Sequence, residues 1–405
     1  MKSCVAESLL MPKILFLTWH YFDGPEFGAA LRARHVSQLL ARLGEVRVVL
    51  AGDEQEDSVK ALKSVGGLEL LDVVEFPPTP RWSPGERLRN EFSGRFINTD
   101  HRQARAADRE RLQTLMAGHD LVWVHSLKLA NRYGLWRWPN SVLDLDDVTS
   151  SFCLSSLRQA SNPLEKFRYW RQVLLWRRRE KFLSERFDAL CVCSEDDRQE
   201  IGRQKNLFVV PNGFAAPPAM PERRLITPPR LGFVGTFKYE PNRAGVRWFV
   251  EKVWPLILEK LPTARLRLAG ADSENQNWRA ARNVDALGFV ADSAAEMATW
   301  SASIVPLFVG GGTRIKIAEA FSRQCPVLAT SVGAYGYEVS DGGELWLADT
   351  PEDFAAKCLR TLTQPEESRQ MAVRAWGKFL QRWTWDAQAD RVAAAVNAVL
   401  QKQNG

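Results

Sequence analysis

Short apolar runs alternate with amphipathic stretches along nearly the whole chain, and that alternation restricts the fold more than any other feature of the sequence. The run KILFLTWH (13–20) is too short for a buried helix and too uniformly apolar for a sheet wetted on one face. It reads as a strand covered on both sides. GAALRARHVSQLLARLG (28–44) carries an apolar stripe of helical period that stops at Gly44, and EVRVVLAG (45–52) is the next strand. DLVWVH (120–125), SVLDLDD (141–147), DALCVCSEDD (188–197) and NLFVVPNG (206–213) repeat the strand pattern. Units of this kind build parallel sheets with helices on both faces.

The rhythm breaks at FAAPPAMPERRLITPPR (214–230), which has five prolines and no periodicity and reads as a linker. It then resumes with RLGFVGTF (230–237), a helix through AGVRWFVEKVWPLILEKL, and the strands ARLRLAG (264–270), VDALGFV (284–290), ASIVPLF (302–308) and PVLATS (326–331), with a short helix near 293–301. At 405 residues the chain exceeds what one core supports. The division predicted is a first doubly wound α/β domain over 11–213, a linker over 214–230, a second over 231–382, and a C-terminal unit over 383–405 in which WTWDAQADRVAAAVNAVL (383–400) is helical. Ligands of such sheets bind beyond the carboxyl ends of the strands, and the space between the two domains is the natural cleft.

Composition narrows the partners. The net charge of +6 suits an anionic ligand, which nucleic acid, a phospholipid surface or a phosphorylated small molecule would all supply. Nucleic acid is disfavoured, because no recognition module or concentrated basic face is evident. The six cysteines are scattered without a CxxC pair and read as reduced core residues of a cytoplasmic protein. No apolar run is long enough to span a bilayer, and the start MKSCVAESLLMPKILFLTW lacks a signal-peptide pattern, so Met11 is a candidate natural start.

One stretch carries chemistry. GGGTRIKIAEAF (310–321) sets three glycines before a helix and places Arg314 and Lys316 at its start. Cations there oppose the helix dipole by some tenths of a kcal/mol each, roughly, so an anion is missing. Free N–H groups, a backbone without Cβ atoms and two cations make a receptor for a phosphate or diphosphate. The bland alternative is a loop, an N-cap at Thr313, and Lys316 and Arg323 as solvated partners of Glu319. Position favours the receptor: the glycines follow a strand directly, at the carboxyl edge of a sheet. The pattern is neither GxGxxG nor GxxxxGK[ST], which argues against dinucleotide and P-loop assignments.

Other residues stay open. His20 and His125 end strands and are either hydrogen-bonded structural groups or cleft residues. Gly28 lets the preceding loop approach a ligand, or simply starts a helix. DLDD (144–147) contains a DxD spacing suited to a divalent metal, but it lies in the first domain while the glycine stretch lies in the second; Asp147 is a turn residue or an acceptor-side one, and no metal is assigned. The basic amphipathic segment 164–187 is either a core-plus-solvent helix or one suited to an anionic membrane surface, and the arginine-rich stretch 81–111 reads as a lid or an acceptor-facing insertion.

Four features in order, VVPNGF (209–214), LGFVGTFKYEPNRAGVRWFV (231–250), LGFVAD (287–292) and PLFVGGGTRIKIAEAFSRQCPVLATSVGAYG (306–336), make the chain resemble the retaining glycosyltransferases of family four, often called glycosyl transferases group one. The resemblance implies the GT-B architecture: two Rossmann-like domains facing across a cleft, with a C-terminal helix crossing back to the first. It implies sugar transfer from a nucleotide-diphosphate donor, with retention, to a glycan or lipid-linked acceptor, without a metal or other cofactor. Donor residues would then be Gly28, Gly235, Thr236, Lys238 and Asn242; Gly288, Phe289 and Val290 beside the base and ribose; Glu319 on ribose hydroxyls; and Gly310, Gly311, Gly312, Thr313, Arg314 and Lys316 around the diphosphate. His125, Arg314 and Lys316 would be catalytic, with His20 and Asp147 on the acceptor side. Extension of a surface glycan or glycolipid, at the cytoplasmic membrane face, is the matching role.

The chain departs from that family at Gly311, where many relatives have the first of two glutamates, and at Thr236 and Asn242, where they have Arg and Lys. Lys238, Arg243, Arg314 and Lys316 remain to neutralise a diphosphate, and Tyr335 stands where a subgroup often has Glu. Two rival readings follow: a nucleotide-sugar epimerase of the same fold, and a non-catalytic nucleotide-sugar-binding partner subunit.

Overall fold

The computed structural model describes residues 11–19, 28–52, 56–79, 82–93 and 102–403. The first half forms a seven-stranded parallel sheet from β1 (Lys13–Thr18), β2 (Glu45–Ala51), β3 (Leu68–Val74), β4 (Leu121–His125), β5 (Ser141–Leu145), β6 (Ala189–Val192) and β7 (Leu207–Val209), in the order β3-β2-β1-β4-β5-β6-β7. The second half forms a six-stranded parallel sheet from β8 (Arg230–Val234), β9 (Arg265–Ala269), β10 (Val284–Gly288), β11 (Ala302–Val305), β12 (Val327–Ala329) and β13 (Trp346–Leu347), ordered β10-β9-β8-β11-β12-β13. Strands β4, β5, β6 and β11 are buried at every position, as helices on both faces of a parallel sheet require. The doubly wound reading of both halves holds.

Each sheet reverses direction once, between β1 and β4 in the first and between β8 and β11 in the second. At such a switch point neighbouring connections leave toward opposite faces, which opens a crevice at the carboxyl ends of the strands.

Between β7 and β8 the chain has no helix or strand; Phe214 forms an isolated bridge with Thr384, and Phe214 N–H donates to Trp383 O at 2.8 Å. The two segments joining the domains therefore run side by side. The final helix begins later than the sequence indicated: Trp383 packs in the second core, Trp385 stacks on His35 at 4.7 Å, and the α-helix runs Ala389–Gln403. Its Val392, Ala395, Val396 and Val399, spaced as one helical stripe, complete the core against β4, β5, β6 and β7. A charge at Val396, which is 2% exposed, has no partner there. Val396→Asp is expected to destabilise the first domain by about 3 kcal/mol or more, read by urea denaturation.

Two further segments differ from their sequence readings. The basic stretch 164–187 is not continuous: it forms helix Pro163–Glu180 and a short helix Leu183–Arg186. Within 81–111 the described residues form helix Pro84–Phe92, capped by Ser83, and the start of helix Ala106–Ala117.

Candidate functional site

A cavity of about 400 Å³ lies where the two switch points face each other. Its second-domain wall comes from the carboxyl end of β8 (Val234, Gly235, Thr236), the end of β9 (Ala269, Gly270), and the connection after β11 that carries Gly311, Thr313, Arg314 and Lys316. The first domain adds Gly28 with Ala29 and Leu31, Asp146 and Asp147 after β5, and Asn212 after β7.

The three glycines form a loop, not helix; the helix starts at Ile315, with Arg314 in the N-cap position. The Arg314 guanidinium folds back so that Nη1 donates to the carbonyl of Gly312 at 2.6 Å, and to that of Gly311. Its Nη2 is buried and has no hydrogen-bond partner among the described residues. Lys316 Nζ donates to Asn242 Oδ1 at 2.9 Å and sits 3.9 Å from the centre of the Phe233 ring. Neither cation forms an ion pair with a described residue. Burial, and then the charge of Arg314, pull the Lys316 ammonium down to about 7. Gly235 is needed beside it: φ is 148°, and a Cβ there would stand 3.0 Å from Lys316 Nζ.

Of the four cations left to neutralise a diphosphate, the structure separates two from two. Lys238 is exposed and outside the cavity wall, because the chain turns at Tyr239 to start helix Glu240–Trp248. Arg243 is held by Glu240 through Nε at 2.8 Å. Arg314 and Lys316 remain. Thr236 and Asn242 both line the cavity, and Asn242 Nδ2 donates to the Thr236 carbonyl at 2.7 Å, so this pair shapes the wall without adding charge.

At the other end Phe289, 60% exposed, stands at the rim with Val290, and Glu319 lines the wall while accepting from Ser293 Oγ at 2.8 Å. Burial pushes the Glu319 carboxyl up. Gly288 sits behind them: its N–H donates to Ser273 Oγ at 2.8 Å, and φ of 68° turns the chain toward Phe289. Gly310 and Gly312 are likewise off the cavity wall. Ser155 of the first domain takes both polar groups of Gly310, accepting from its N–H at 3.0 Å and facing its carbonyl at 3.2 Å. Gly312 has φ of 61°, and a Cβ would meet Asp147 Oδ1 at 2.3 Å.

His125 does not reach the cavity wall. It ends β4 at 0% exposure with Nδ1 3.0 Å from Thr18 Oγ1; Nε2 has no partner among the described residues, and burial holds the ring below its ordinary value. Ser126, immediately after it, has φ of 89°, a strained value for a residue with a Cβ. His20 lies outside the described residues.

Across the cavity Asp147 is open to the cleft but enclosed by protein elsewhere. That enclosure and then Asp146 push its carboxyl above the ordinary carboxylate range, against the pull of Arg314. Asp144, the first member of the DxD spacing, is not free for a metal. Both its oxygens accept from Arg32 Nε at 3.0 Å, and Arg32 Nη1 goes on to Val210 O at 2.9 Å and Asn212 Oδ1 at 3.0 Å. Asn212 Nδ2 then donates to Thr313 Oγ1 at 2.9 Å, which ties the first sheet to the glycine loop of the second domain. Tyr335 Oη to Asp197 Oδ1 at 3.1 Å, and Gly336 N–H to Asp196 Oδ2 at 3.1 Å, make further contacts between the domains.

Comparison with known proteins decides what this arrangement is similar to. Residues 228–364 match the family model described as Glycosyl transferases group 1. That match spans β8 to the helix after β13 and so contains the glycine loop and Glu319. A Klebsiella pneumoniae protein described as an uncharacterized 44.6 kDa protein in the cps region is 21% identical over 227 residues, covering 54% of this chain and 58% of that protein. The chain thus matches little more than half the length of that curated relative. Among solved structures, Anabaena Alr3699/HepE in complex with UDP and glucose superposes with a TM-score of 0.61 at 17% identity, over 96% of this chain and 100% of that one. WaaG, a glycosyltransferase involved in lipopolysaccharide biosynthesis, gives 0.58 at 16% identity over 95% and 99%, and sucrose-phosphate synthase of Thermosynechococcus elongatus gives 0.64 at 15% over 97% and 99%. The fold is GT-B.

Within that GT-B frame, some wall residues escaped sequence reasoning. Tyr239 and Ser293 line the cavity, and Ser155 shapes the loop from the opposite domain. Asn212 belongs to the PNG motif but carried no assigned role; its place at the end of the last strand of the first sheet was the available signal. Among the described residues no group of three or more His, Cys, Asp or Glu is arranged to hold a metal.

Proposed function

We propose that the protein transfers a sugar from a nucleotide-diphosphate donor to a glycan or lipid-linked acceptor with retention at the anomeric carbon, independently of a divalent metal. The observation that carries this reading is the pair Arg314 and Lys316: two cations facing one cavity with no ion pair to a described residue, one with a partnerless Nη2, the other with its ammonium pulled down to about 7. A diphosphate supplies the absent charge. Phe289 offers a face for the base, and Glu319 an acceptor for ribose hydroxyls. The match to Glycosyl transferases group 1 covers this half of the site.

The chemistry follows from the charges. As the bond from the anomeric carbon to the phosphate oxygen breaks, negative charge grows on that oxygen, and fixed donors aimed at it stabilise the transition state. Lys316, Arg314 and the N–H groups at the start of helix Ile315–Ser322 take that role, which a metal ion fills elsewhere. The leaving phosphate then accepts the proton of the incoming acceptor hydroxyl, so no side-chain nucleophile is needed. Asp147, across the cleft, holds the acceptor. The printed descriptions of a relative from a cps region and of a lipopolysaccharide enzyme support a role in surface-glycan assembly.

The test is transfer itself. UDP-, GDP- and ADP-sugars are incubated with polyprenyl-linked and oligosaccharide acceptors, with and without a chelator. One donor is expected to yield a product whose anomeric configuration matches the donor, at a rate the chelator leaves unchanged. Epimerised free donor, or donor binding without any transfer, would replace this reading with one of its rivals.

A further inference from the structure

Helix Pro163–Glu180 has two apolar faces where a surface helix needs one. Val173 and Glu180 are buried and Tyr169 and Trp176 half-buried, and this face holds the helix to the first domain; Glu180 accepts from Ser150 N–H at 3.0 Å. At 100° per residue, Leu164, Phe167 and Leu174 fall on the opposite side, with Trp170 on the flank between the two faces. Leu164, Phe167, Trp170 and Leu174 are 78%, 60%, 50% and 49% exposed. Every residue from 161 to 168 is exposed, so the amino-terminal half of the helix stands out from the body of the domain.

A second helix enlarges the patch. Glu91 of helix Pro84–Phe92 pairs with Arg171 at 2.8 Å, and that helix exposes Leu88 at 58% and Phe92 at 67%, one turn apart on one face. The charge around the patch has one sign in excess: helix Pro163–Glu180 carries six basic residues against two acidic ones, Glu180 is turned inward, and of the six Arg171 and Arg177 form ion pairs with Glu91 and Glu200. Exposed aromatic and aliphatic side chains flanked by arginine match the layered chemistry of a lipid interface, with apolar groups at acyl depth and guanidinium groups among phosphates. A protein partner would leave that basic excess unexplained. No helix among the described residues is long and apolar enough to cross a membrane, so the contact is one of lying on the surface.

We infer that helices Pro84–Phe92 and Pro163–Glu180 form a docking face for an anionic phospholipid membrane, inserting Phe92, Phe167, Trp170 and Leu174 between headgroups. The face is coupled to the cleft by short covalent distance: helix Thr149–Gln159, which begins two residues after Asp147 and carries Ser155 on Gly310, packs against helix Pro163–Glu180. A membrane-held acceptor would approach the first-domain side of the cavity. The inference stands without the proposed sugar transfer, since it rests on a surface outside the cavity.

The test is flotation of the full chain with vesicles of phosphatidylcholine alone, or with about a third phosphatidylglycerol, at low and high salt. The wild type is expected to float with the anionic vesicles only, and less at high salt. Phe167→Ser/Trp170→Ser/Leu174→Ser is expected to lower the bound fraction about tenfold or more while the variant still unfolds cooperatively within roughly a few degrees of the wild type, because each side chain is about half exposed or more. The inference is overturned if the wild type stays unbound, if it floats equally with neutral vesicles, or if the triple variant binds as well as the wild type. A wild-type dimer in light scattering that the triple variant dissolves would also overturn it, by assigning the face to a second copy.

Discussion

Lys316→Met is expected to weaken nucleoside diphosphate binding by about 10–100-fold, the loss of one charge-assisted contact in an enclosed site. Arg314→Ala is expected to do at least as much, because Arg314 also braces the carbonyls of Gly311 and Gly312 and so sets the shape of the loop. The Lys316 effect carries a pH signature. Burial and Arg314 place the free ammonium at about 7. A bound diphosphate puts negative charge beside it and raises that value. A group whose value is raised on binding contributes affinity that is complete below its free-state value and is lost as pH climbs toward its bound-state value. The Lys316 contribution to affinity is therefore expected to be complete below about pH 6 and to fall by up to about tenfold per pH unit above 7. In Lys316→Met that contribution to the fall is gone. Calorimetric titration across pH checks both.

Arg32→Met is expected to destabilise the first domain by about 3–5 kcal/mol, the cost of leaving a buried carboxylate without its partner. Arg32 and Asp144 are both 0% exposed. Burial lowers the Arg32 value, but the attraction and hydrogen bonds of Asp144 lead the opposing effects that hold the guanidinium above its ordinary range, so Arg32 stays charged in the fold. Among the described residues Asp144 keeps only Trp123 Nε1, at 3.4 Å, after the substitution. Arg32→Met/Asp144→Leu is expected to recover most of the loss, since a well-packed apolar pair of similar volume often equals a buried ion pair. Donor affinity separates stability from function: Asn212 loses its Arg32 contact in both variants, so its grip on Thr313 loosens even where stability returns. Urea denaturation beside donor titration reads the two effects apart.

Much of the architecture was legible because alternation of buried strands and amphipathic helices has few physical solutions. The glycine stretch was legible as an anion receptor because its cations oppose the helix dipole. Which cations serve was not. Lys238 and Lys316 are equally basic in a sequence, and only the turn at Tyr239 sends one outward while burial holds the other in the cleft. Contacts from the opposite domain were illegible for a different reason: Ser155 meets Gly310 and Asn212 meets Thr313 across 155 and 101 residues, separations over which periodicity carries no information. The basic helix was ambiguous because its pattern has apolar residues on two sides, and only packing shows which side is covered.

The most direct measurement of the central claim is calorimetric titration of a nucleoside diphosphate at about pH 8 in two buffers of different ionisation enthalpy, on wild type and Lys316→Met. Binding by the wild type with net proton uptake, and by Lys316→Met with weaker affinity and less uptake, would place the diphosphate on Lys316. Absence of binding, or affinity and proton uptake unchanged by Lys316→Met, would contradict the assignment of the glycine loop as the anion site.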